Sequence, residues 1–410
     1  MQDTKLFETI LGLQAPWKIG RVALDTSGAR VDLWAEHADD MRWPCPECQQ
    51  ALPCRDHVEE RVWRHLDTCQ YQTFLHARVP RVDCPTHGVR QVRVPWAEAR
   101  SRFTLLRERL IIDLILQCST VTGACRIAGI SWDDAWGVMD RAVMRGRARK
   151  EARPIRYAGV DEKAFRKGHR YHTIVCDLAR STVEYVAEDR RVESLGAYYD
   201  QLPPAQRDAL AGVAMDMWEP YIQATRPRLP AGEARIVFDR FHIMREMTKA
   251  VDTVRKQEHR AFLREGGASP LTNTKYLWLF NEAHLPERHA ETFAAVQALE
   301  LKVGRAWAIK EGLRTLWTYR QPAAVRRFFT HWYAWAIRSR LDPVKKVARM
   351  IHRHLDGVLR FVQHPITNGV AEGLNSKIMS IKRKAGGFRN AQNFTTAIDF
   401  HCGGLDLYPH

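Results

Sequence analysis

Residues Tyr157–Val186 read YAGVDEKAFRKGHRYHTIVCDLARSTVEYV, and this stretch decides the fold. β-Branched and aromatic residues fill three runs, near Ala158–Asp161, Tyr171–Asp177 and Thr182–Val186, with Lys, Gly, Ala, Arg and Ser residues between them. Runs separated in this way predict three consecutive strands. Asp161 stands at the predicted end of the first strand, where a sheet can hold its carboxylate rigidly. We therefore take Asp161 as the first candidate metal ligand.

The next elements predict the rest of a sheet. In order they are a helix at Val192–Leu202, a buried strand at Gly212–Trp218 that ends in Asp216, a helix from Pro220 to Thr225, and a strand at Ala234–Phe238 followed by Asp239. Three strands, helix, strand, helix and strand is the order of a ribonuclease H-like α/β core with a mixed five-stranded sheet. In that core the first and fourth strands are neighbours, so Asp161 and Asp216 are predicted to lie together.

A third carboxylate follows near the C-terminus, in the run TNGVAEGLNSK at Thr367–Lys377. Thr367 can cap a helix that carries Glu372, which we predict to be the third ligand. Adjacent carboxylates repel each other unless divalent cations compensate their charge, and Mg²⁺ prefers carboxylate oxygens. Two such ions can clamp the attacking and leaving oxygens of a displacement at phosphorus. The residues after Glu372 that we predict to hold the DNA backbone are Asn375, Lys377, Lys382, Arg383, Lys384 and Arg389.

Other acids near these positions leave alternatives open. Asp239 competes with Asp216 as the second carboxylate, although the predicted sheet order favours Asp216 because the fifth strand lies further from the first. Glu162 is interpreted as a member of a local ion pair and Asp177 as a turn residue. His242 is interpreted as structural, since a water bound to metal needs little help from a general base.

The N-terminal part predicts a small zinc ribbon. Trp17–Glu36 alternates apolar and polar residues around a Thr-Ser-Gly turn, which is typical of a hairpin. Two knuckles follow, Cys45-Pro-Glu-Cys48 and Cys84-Pro-Thr-His87, and two such pairs can close a tetrahedral Zn²⁺ site. The span between them contains a strand-like run at Thr73–Asp83. Four protein ligands leave no open position, so this Zn²⁺ is expected to be structural, and the ribbon to contact DNA.

Alternatives remain in this region too. The cysteines could be ordinary reduced thiols, and Cys54, His57 and Cys69 are alternative ligands. His57 or His65 can equally be a solvated or core histidine.

The next segment predicts a helix-turn-helix. Phe103–Gln117 carries a helical apolar stripe, Val121–Ala128 predicts a second helix, and Gly129 a turn. Ser131 with Asp134 forms a capping-box pattern for a third helix. A plain helical bundle shows the same features, and acids at the start of a recognition helix would lie close to phosphates. The basic residues at the end of the third helix that we predict to lie along a DNA backbone are Arg141, Arg145, Arg147, Arg149 and Lys150.

Between residues 244 and 360 the chain is predicted to be a helical insertion. Its aromatic residues include Trp278, Trp307, Trp317, Trp332 and Trp335. We expect most of these tryptophans to form its core, with stacking on a base as the alternative.

Composition limits the class of protein. The chain has 410 residues, 45% of them hydrophobic, and no apolar run of the roughly 20 residues that a membrane helix needs. Its net charge of +16 favours a polyanionic partner such as DNA. Nine cysteines, an odd number, suit a reducing compartment with a metal site. The start of the sequence lacks the basic region of a secretory signal, so a soluble intracellular protein is expected.

With these elements in order, the chain resembles the ISL3-type insertion-sequence transposases. The matching stretches are CPEC, CPTHG, VPWA, GVDEKAFRKGH, MDMW, IVFDRFH, TNGVAEGLNSKI and IKRKAGGFRN, and their order and spacing carry the resemblance. It implies a multidomain α+β DDE transposase whose acidic triad falls on Asp161, Asp216 and Glu372. A location in the bacterial cytoplasm, at the nucleoid when bound to DNA, is expected from the same resemblance. The expected domains are a zinc-ribbon domain at 1–100, a helix-turn-helix at 101–156, the first part of the core at 157–243, the insertion at 244–360 and the last part of the core at 361–410.

The expected reaction needs two Mg²⁺ (or Mn²⁺) ions per active site. Hydrolysis at the element ends frees 3′-hydroxyls, which then attack target DNA. The partners would be double-stranded DNA, as terminal inverted repeats and as target, and a second copy of the chain to pair two ends. The rival interpretations are a structure-specific nuclease with the same core, a DNA-binding regulator without catalysis, and an inactive copy.

Overall fold

The computed structural model describes residues 3–166 and 170–410, and the chain divides into two compact units. Met1–Glu151 and Met379–His410 form the first unit, and Ala152–Ile378 forms the second. This division differs from the domains expected from sequence, because the segment 361–410 is shared between the two units. Among the described residues, no helix combines the length and the apolar character needed to cross a bilayer.

The N-terminal part of the first unit is built from short strands. Its elements are α1 (Asp3–Leu11), β1 (Lys18–Asp25), β2 (Arg30–Glu36), β3 (Arg42–Pro44), β4 (Ala51–Pro53), β5 (Asp56–His57), β6 (Arg61–Arg64), β7 (Gln72–Ala77), β8 (Pro80–Cys84) and β9 (Gly88–Gln91). The strands form sheets in the orders β1-β2-β7-β6, β3-β4 and β5-β8-β9. The predicted hairpin is β1–β2, and Asp25 accepts backbone hydrogen bonds from Ser27 and Gly28 in its turn, at 3.0 and 2.9 Å. The single strand expected at Thr73–Asp83 is instead two strands, β7 and β8.

Three helices complete this part of the unit: α2 (Leu105–Gln117), α3 (Val121–Ala128) and α4 (Trp132–Arg149). The predicted signals lie where the helices start and stop. Gly129 adopts a left-handed φ of 63°, which glycine tolerates without a steric penalty. The side chains of Ser131 and Asp134 form the predicted capping box at the start of α4. Helix, glycine turn and capped helix are therefore confirmed.

The second unit contains the predicted five-stranded sheet. Its elements are β10 (Tyr157–Arg166), β11 (Arg170–Asp177), β12 (Thr182–Glu188), α5 (Val192–Gln201), α6 (Pro204–Ala209), β13 (Gly212–Met215), α7 (Glu219–Thr225), α8 (Gly232–Arg235) and β14 (Ile236–Phe238). The strand order is β12-β11-β10-β13-β14, antiparallel among the first three and parallel from β10 onward. The first and fourth strands are neighbours, as predicted. The break between strands that was expected at Lys167 and Gly168 lies outside the described residues.

One detail of this sheet corrects the sequence analysis: Asp161 does not end its strand. β10 continues to Arg166, and Asp161 pairs with Ile174 of β11. The parallel pairing of β10 with β13, however, stops at Gly159 and Ala214. Asp161 therefore lies just beyond the end of its parallel neighbour, where a side chain can face open space while its own backbone stays in the sheet.

Helices follow the sheet: α9 (Arg240–Arg264), α10 (Lys275–Leu279), α11 (Glu287–Gln297), α12 (Lys302–Arg314), α13 (Pro322–Arg338), α14 (Asp342–Arg353) and α15 (Leu355–Leu359). They share one apolar core with the sheet. Trp278, Trp307 and Trp332 are buried in it, as expected. Trp317 is half-buried against the same core, whereas Trp335 is 47% exposed.

Two more helices complete the chain, α16 (Gly369–Lys384) and α17 (Ala391–Cys402). Within the first unit, α17 packs against α4. Its Asp399 is buried and forms an ion pair with Arg147. A Cβ at Gly146 of α4 would lie 2.7 Å from the side chain of Leu405, so the C-terminal segment and α4 approach closely.

Candidate active site

Asp161 is held by two hydrogen bonds. The backbone N–H of Glu162 donates to its Oδ1 at 2.8 Å, and the Asn375 side chain donates from Nδ2 to its Oδ2 at 2.5 Å. Burial raises the pKa of Asp161, although the bond from Glu162 and the nearby His242 oppose this rise. The carboxylate is thus fixed in position and costly to ionise without a compensating cation.

Asp216 follows β13 directly, and its Oδ1 accepts a hydrogen bond from the backbone N–H of Trp218 at 3.1 Å. All four residues of β13 are buried, which fixes the strand from which Asp216 emerges. Burial raises the pKa of Asp216, and the charges of Glu162 and Asp161 raise it further while His242 opposes the rise. Asp161 and Asp216 therefore influence each other electrostatically, as their neighbouring strands predict.

Glu372 lies in the first turn of α16, and Asn368 ties that turn to the sheet. Asn368 is fully buried and donates from Nδ2 to the carbonyl oxygen of Val160 on β10, at 3.0 Å. The carbonyl oxygen of Asn368 in turn accepts from the N–H of Glu372 at 2.9 Å. Burial, then the charge of Asp239, raise the pKa of Glu372.

Asp161, Asp216 and Glu372 line one cavity of about 360 Å³, and Glu162, Lys163, His242, Arg245 and Asn375 are among its other lining residues. The three predicted carboxylates are thus brought together from separate segments of the chain. Because all three have raised pKa values, the cavity is a place where negative charge is costly and where a divalent cation would be stabilised.

Asp239, the alternative second carboxylate, occupies a different position. It is buried directly after β14, its Oδ1 accepts from the backbone N–H of Asn368 at 3.3 Å, and its Oδ2 is 3.6 Å from Nδ1 of His242. It lines an adjoining cavity of about 400 Å³, which Glu372 also lines. Glu372 borders both cavities, so the choice between Asp216 and Asp239 stays a prediction.

Glu162 and Asp177 have partners of their own. Glu162 forms an ion pair with Arg190 at 2.9 Å, and the Arg190 guanidinium lies 4.2 Å from the ring centroid of Tyr171 and 4.5 Å from that of Trp218. The Oδ1 of Asp177 accepts backbone bonds in the turn after β11. Glu162 is therefore a member of a local ion pair and Asp177 is a turn residue, as the sequence indicated.

Sequence reasoning missed three residues that shape this site: Arg190, Trp218 and Asn368. Asn368 had a signal, since it lies inside the TNGVAEGLNSK run. No sequence signal marked Arg190 or Trp218, because their contact joins the segment after β12 to the segment after β13. Asn375 was predicted to contact DNA, whereas in the structure its side chain bonds Asp161.

A second set of donors lies in the first unit. One ligand atom from each of Cys45, Cys48, Cys84 and His87 lies within 4.8 Å of all the others. Neighbouring hydrogen bonds from His87 and Thr86 outweigh burial and lower the pKa of the Cys84 thiol to about 6, which favours the thiolate that metals bind. Among the described residues, the carboxylates of the acidic cavity do not form so tight a set.

The alternative ligands lie elsewhere. Cys54 has its Sγ 3.9 Å from Nε2 of His57, and that nitrogen is 2.9 Å from Nε2 of His37. Cys69 is exposed. His65 is buried, with its Nδ1 2.9 Å from the hydroxyl of Thr104, so it is a core histidine. The four predicted donors are the ones that the fold brings together.

Comparison with known proteins finds three family models that match successive parts of the chain. A family model described as a transposase matches residues 158–398, more than half of the sequence. The chain belongs to the ISL3 family of transposases. The zinc-finger of transposase IS204/IS1001/IS1096/IS1165 matches residues 41–87, and the helix-turn-helix domain of transposase family ISL3 matches residues 92–143. The resemblance noted in the sequence is confirmed.

Two relatives of this ISL3 transposase extend the similarity over nearly the whole chain. The transposase for insertion sequence element IS1001 of Bordetella parapertussis is 28% identical, covering 96% of this chain and 97% of the relative. The transposase for insertion sequence element IS1557 of Mycobacterium tuberculosis is 27% identical, covering 96% of this chain and 94% of the relative.

In this transposase the basic run on α4 makes contacts inside the first unit. The partners are Glu108 for Arg141, Asp399 for Arg147, Asp406 for Arg149 and the carbonyl oxygen of Gly403 for Lys150. Arg145 is buried, donates to the carbonyl oxygen of Leu407 at 2.7 Å and pairs with Glu98. The guanidinium of Arg145 is thus enclosed by protein, and its contact with DNA stays a prediction.

Lys384 also differs from expectation. Its Nζ donates to the carbonyl oxygens of Ile115 and Leu116 at the end of α2, so it caps that helix. Lys377, Arg383 and Arg389 are exposed, and Lys382 is half-buried. Their contact with DNA stays a prediction.

Proposed function

We propose that this transposase binds the terminal inverted repeats of its element, hydrolyses the element ends and joins the freed 3′-hydroxyls to target DNA. The observation that carries the proposal is the cavity lined by Asp161, Asp216 and Glu372, with raised pKa values on all three carboxyl groups. Carboxyl groups that are costly to ionise alone suit a site where divalent cations compensate their charge and also bind the DNA phosphate.

The domain architecture is part of the same proposal. The strand order β12-β11-β10-β13-β14 is that expected of a ribonuclease H-like core. The helices α9–α15 stand in sequence between β14 and the helix of Glu372, which supports the interpretation of 244–360 as an insertion within a core that resumes at 361–410. The remaining proposed domains are 1–100, with the zinc ribbon, and 101–156, with the helix-turn-helix.

Divalent cations fit the residues that line the cavity. Within the described residues, Oε1 of Glu372, which belongs to one of these three carboxylates, is buried and has no hydrogen-bond partner. Asp161, Asp216 and Glu372 would hold two Mg²⁺ or Mn²⁺ ions, which supply positive charge for phosphoryl transfer when bound. The protein itself contributes orientation: Glu162 N–H and Asn375 fix Asp161, while Trp218 N–H fixes Asp216.

The first unit would recognise the element ends. Cys45, Cys48, Cys84 and His87 fit a structural Zn²⁺, since one knuckle supplies two thiols and the other a thiol and an imidazole, which are ligands that Zn²⁺ prefers. The ribbon and helix-turn-helix would contact double-stranded DNA, with exposed Lys377, Arg383 and Arg389 beside the backbone. Because two ends must be joined, we propose at least a dimer in the DNA complex.

The test uses supercoiled DNA carrying two element ends, with Mg²⁺, and resolves nicked, cleaved and joined products. Asp161→Ala, Asp216→Ala and Glu372→Ala are each expected to abolish cleavage, whereas Asp208→Asn, on the exposed surface of α6, is a matched control that keeps it. If Asp216→Ala cleaves and Asp239→Asn does not, Asp239 is the second carboxylate. Cleavage that persists in Asp161→Ala or Glu372→Ala would refute the triad.

Strand transfer separates transposition from a simpler reaction. A nuclease with the same core would release cut ends without joined products. The transposase is expected to give joined products from pre-cleaved ends that carry 3′-hydroxyls, and none from ends that carry 3′-deoxy termini.

A further inference from the structure

Asn375 stands on the same face of α16 as Glu372, three residues further along the helix. Its side chain is 8% exposed and lines the cavity of the three carboxylates. The Nδ2 group donates to Oδ2 of Asp161 at 2.5 Å. Buried placement and direct contact with a proposed ligand suggest a function beyond the DNA contact predicted from sequence.

The orientation of the amide follows from chemistry. An ionised carboxylate can only accept hydrogen bonds, so the NH₂ group of Asn375 must face Asp161. The carbonyl oxygen Oδ1 then faces away from Asp161, and this buried atom has no hydrogen-bond partner among residues 3–166 and 170–410. Buried polar atoms are rarely left without a hydrogen-bond partner in proteins. An unpaired oxygen on a residue that lines the cavity of the three carboxylates therefore requires an explanation.

A divalent cation provides that explanation. Mg²⁺ and Mn²⁺ take hard oxygen ligands, including amide carbonyls. A neutral amide oxygen adds a ligand without adding to the repulsion among carboxyl groups whose pKa values burial already raises. We propose that Oδ1 of Asn375 is a ligand of the divalent cation in this cavity, oriented by the bond that its Nδ2 donates to Asp161. This inference rests on the proposed metal-dependent function.

The experiment measures metal binding, not activity. Full-length protein with its Cys–His cluster saturated with Zn²⁺ is titrated with Mn²⁺ in the absence of DNA, and free Mn²⁺ is followed by electron paramagnetic resonance. Asn375→Ala is expected to weaken Mn²⁺ binding on the order of 10-fold or more, by analogy with losses at metal sites. Asn375→Asp restores an oxygen and is expected to bind Mn²⁺ at least as tightly as the unmodified protein.

A matched control comes from the same helix. A Cβ at Gly373 would meet no atom within 4 Å, so Gly373→Ala is expected to leave Mn²⁺ affinity unchanged. Thermal unfolding without added Mn²⁺ verifies that each variant is folded.

Three outcomes decide the proposal. Weak binding by Asn375→Ala together with tight binding by Asn375→Asp supports ligation by Oδ1. Equally weakened Mn²⁺ binding in both variants overturns the proposal, since only the bond donated to Asp161 is then important. A Mn²⁺ affinity of Asn375→Ala within about twofold of that of the unmodified protein also overturns it, because this change is too small for a lost ligand. If Mn²⁺ binding also survives Asp161→Asn combined with Glu372→Gln, the proposed metal site itself is wrong, which is a separate result.

Discussion

Replacing Gly159 with alanine tests how the strand of Asp161 is joined to the helix of Glu372. A Cβ at Gly159 would lie 2.7 Å from Oδ1 of Asn368, 2.7 Å from Cδ2 of Leu178 and 2.9 Å from Sγ of Cys176. Carbon atoms cannot approach so closely, and all three neighbours come from packed segments. Asn368 is the critical one, because its Nδ2 also bonds the carbonyl oxygen of Val160.

The expected cost has two parts. Forcing an extra methyl group into a packed site costs about 1–3 kcal/mol of unfolding free energy. Losing the Asn368–Val160 hydrogen bond adds about 0.5–1.5 kcal/mol. For a folded unit of this size, each kcal/mol lowers the melting temperature by about 2–4 °C. Gly159→Ala is therefore expected to lower it by several degrees, and to lower DNA cleavage more than this loss of stability explains, because Glu372 moves relative to Asp161.

Gly373→Ala is the control. It also replaces a glycine by alanine, but on open helix surface, where alanine favours the helix by up to about 1 kcal/mol. Chemical denaturation gives the unfolding free energies, and cleavage of supercoiled substrate gives the activity. In a double-mutant cycle, Asn368→Ala is expected to be less harmful when Gly159 is already alanine, because the closest contact is gone. The reasoning is refuted if Gly159→Ala matches Gly373→Ala in both stability and cleavage.

Three further predictions follow from the two units. Burial raises the pKa of Asp216, so this carboxyl group stabilises the folded state below its unfolded pKa and loses that contribution as pH rises through its folded pKa. Asp216→Asn should therefore have a higher melting temperature than the unmodified protein at pH 8 without divalent metal. This gain should disappear in acid, and thermal scans across pH would measure it. Elemental analysis should find one Zn²⁺ per chain, lost in Cys84→Ser and retained in the exposed Cys69→Ser; retention in Cys84→Ser would contradict the assigned ligands. Arg383→Ala should leave stability unchanged and reduce the slope of log DNA affinity against log salt concentration by about 1. Arg145→Ala should instead destabilise the protein by about 1–3 kcal/mol, because buried hydrogen bonds are lost. DNA titrations and chemical denaturation that give the same effects for both variants would contradict this distinction.

Local signals predicted most of the elements, because they act through neighbouring residues. Ser131 with Asp134 fixed the start of α4, and Gly129 fixed the turn before it. The order of strands and helices after Tyr157 predicted that β10 and β13 are neighbours. These features depend on capping, backbone conformation and chain order, all of which are visible in a sequence.

Charge placement was harder to predict, because the partner of a basic residue is set by tertiary structure. Arg147 and Arg149 read as a DNA-facing run, yet their carboxylate partners, Asp399 and Asp406, come from the end of the chain. Arg145 is enclosed by residues from two distant segments, Glu98 and Leu407. A count of basic residues along one helix carries no information about such partners.

Asn368 ties the helix of Glu372 to the sheet through its hydrogen bonds. Asn368 contacts two strands at once: its backbone N–H donates to Asp239 after β14, and its Nδ2 donates to Val160 of β10. Gly159 leaves the space that its side chain occupies. Because Asn368 is one turn before Glu372, these bonds set the register of α16 against the residue next to Asp161. The helices α9–α15 return the chain to this point, and α9 also contributes His242 and Arg245 to the lining of the cavity.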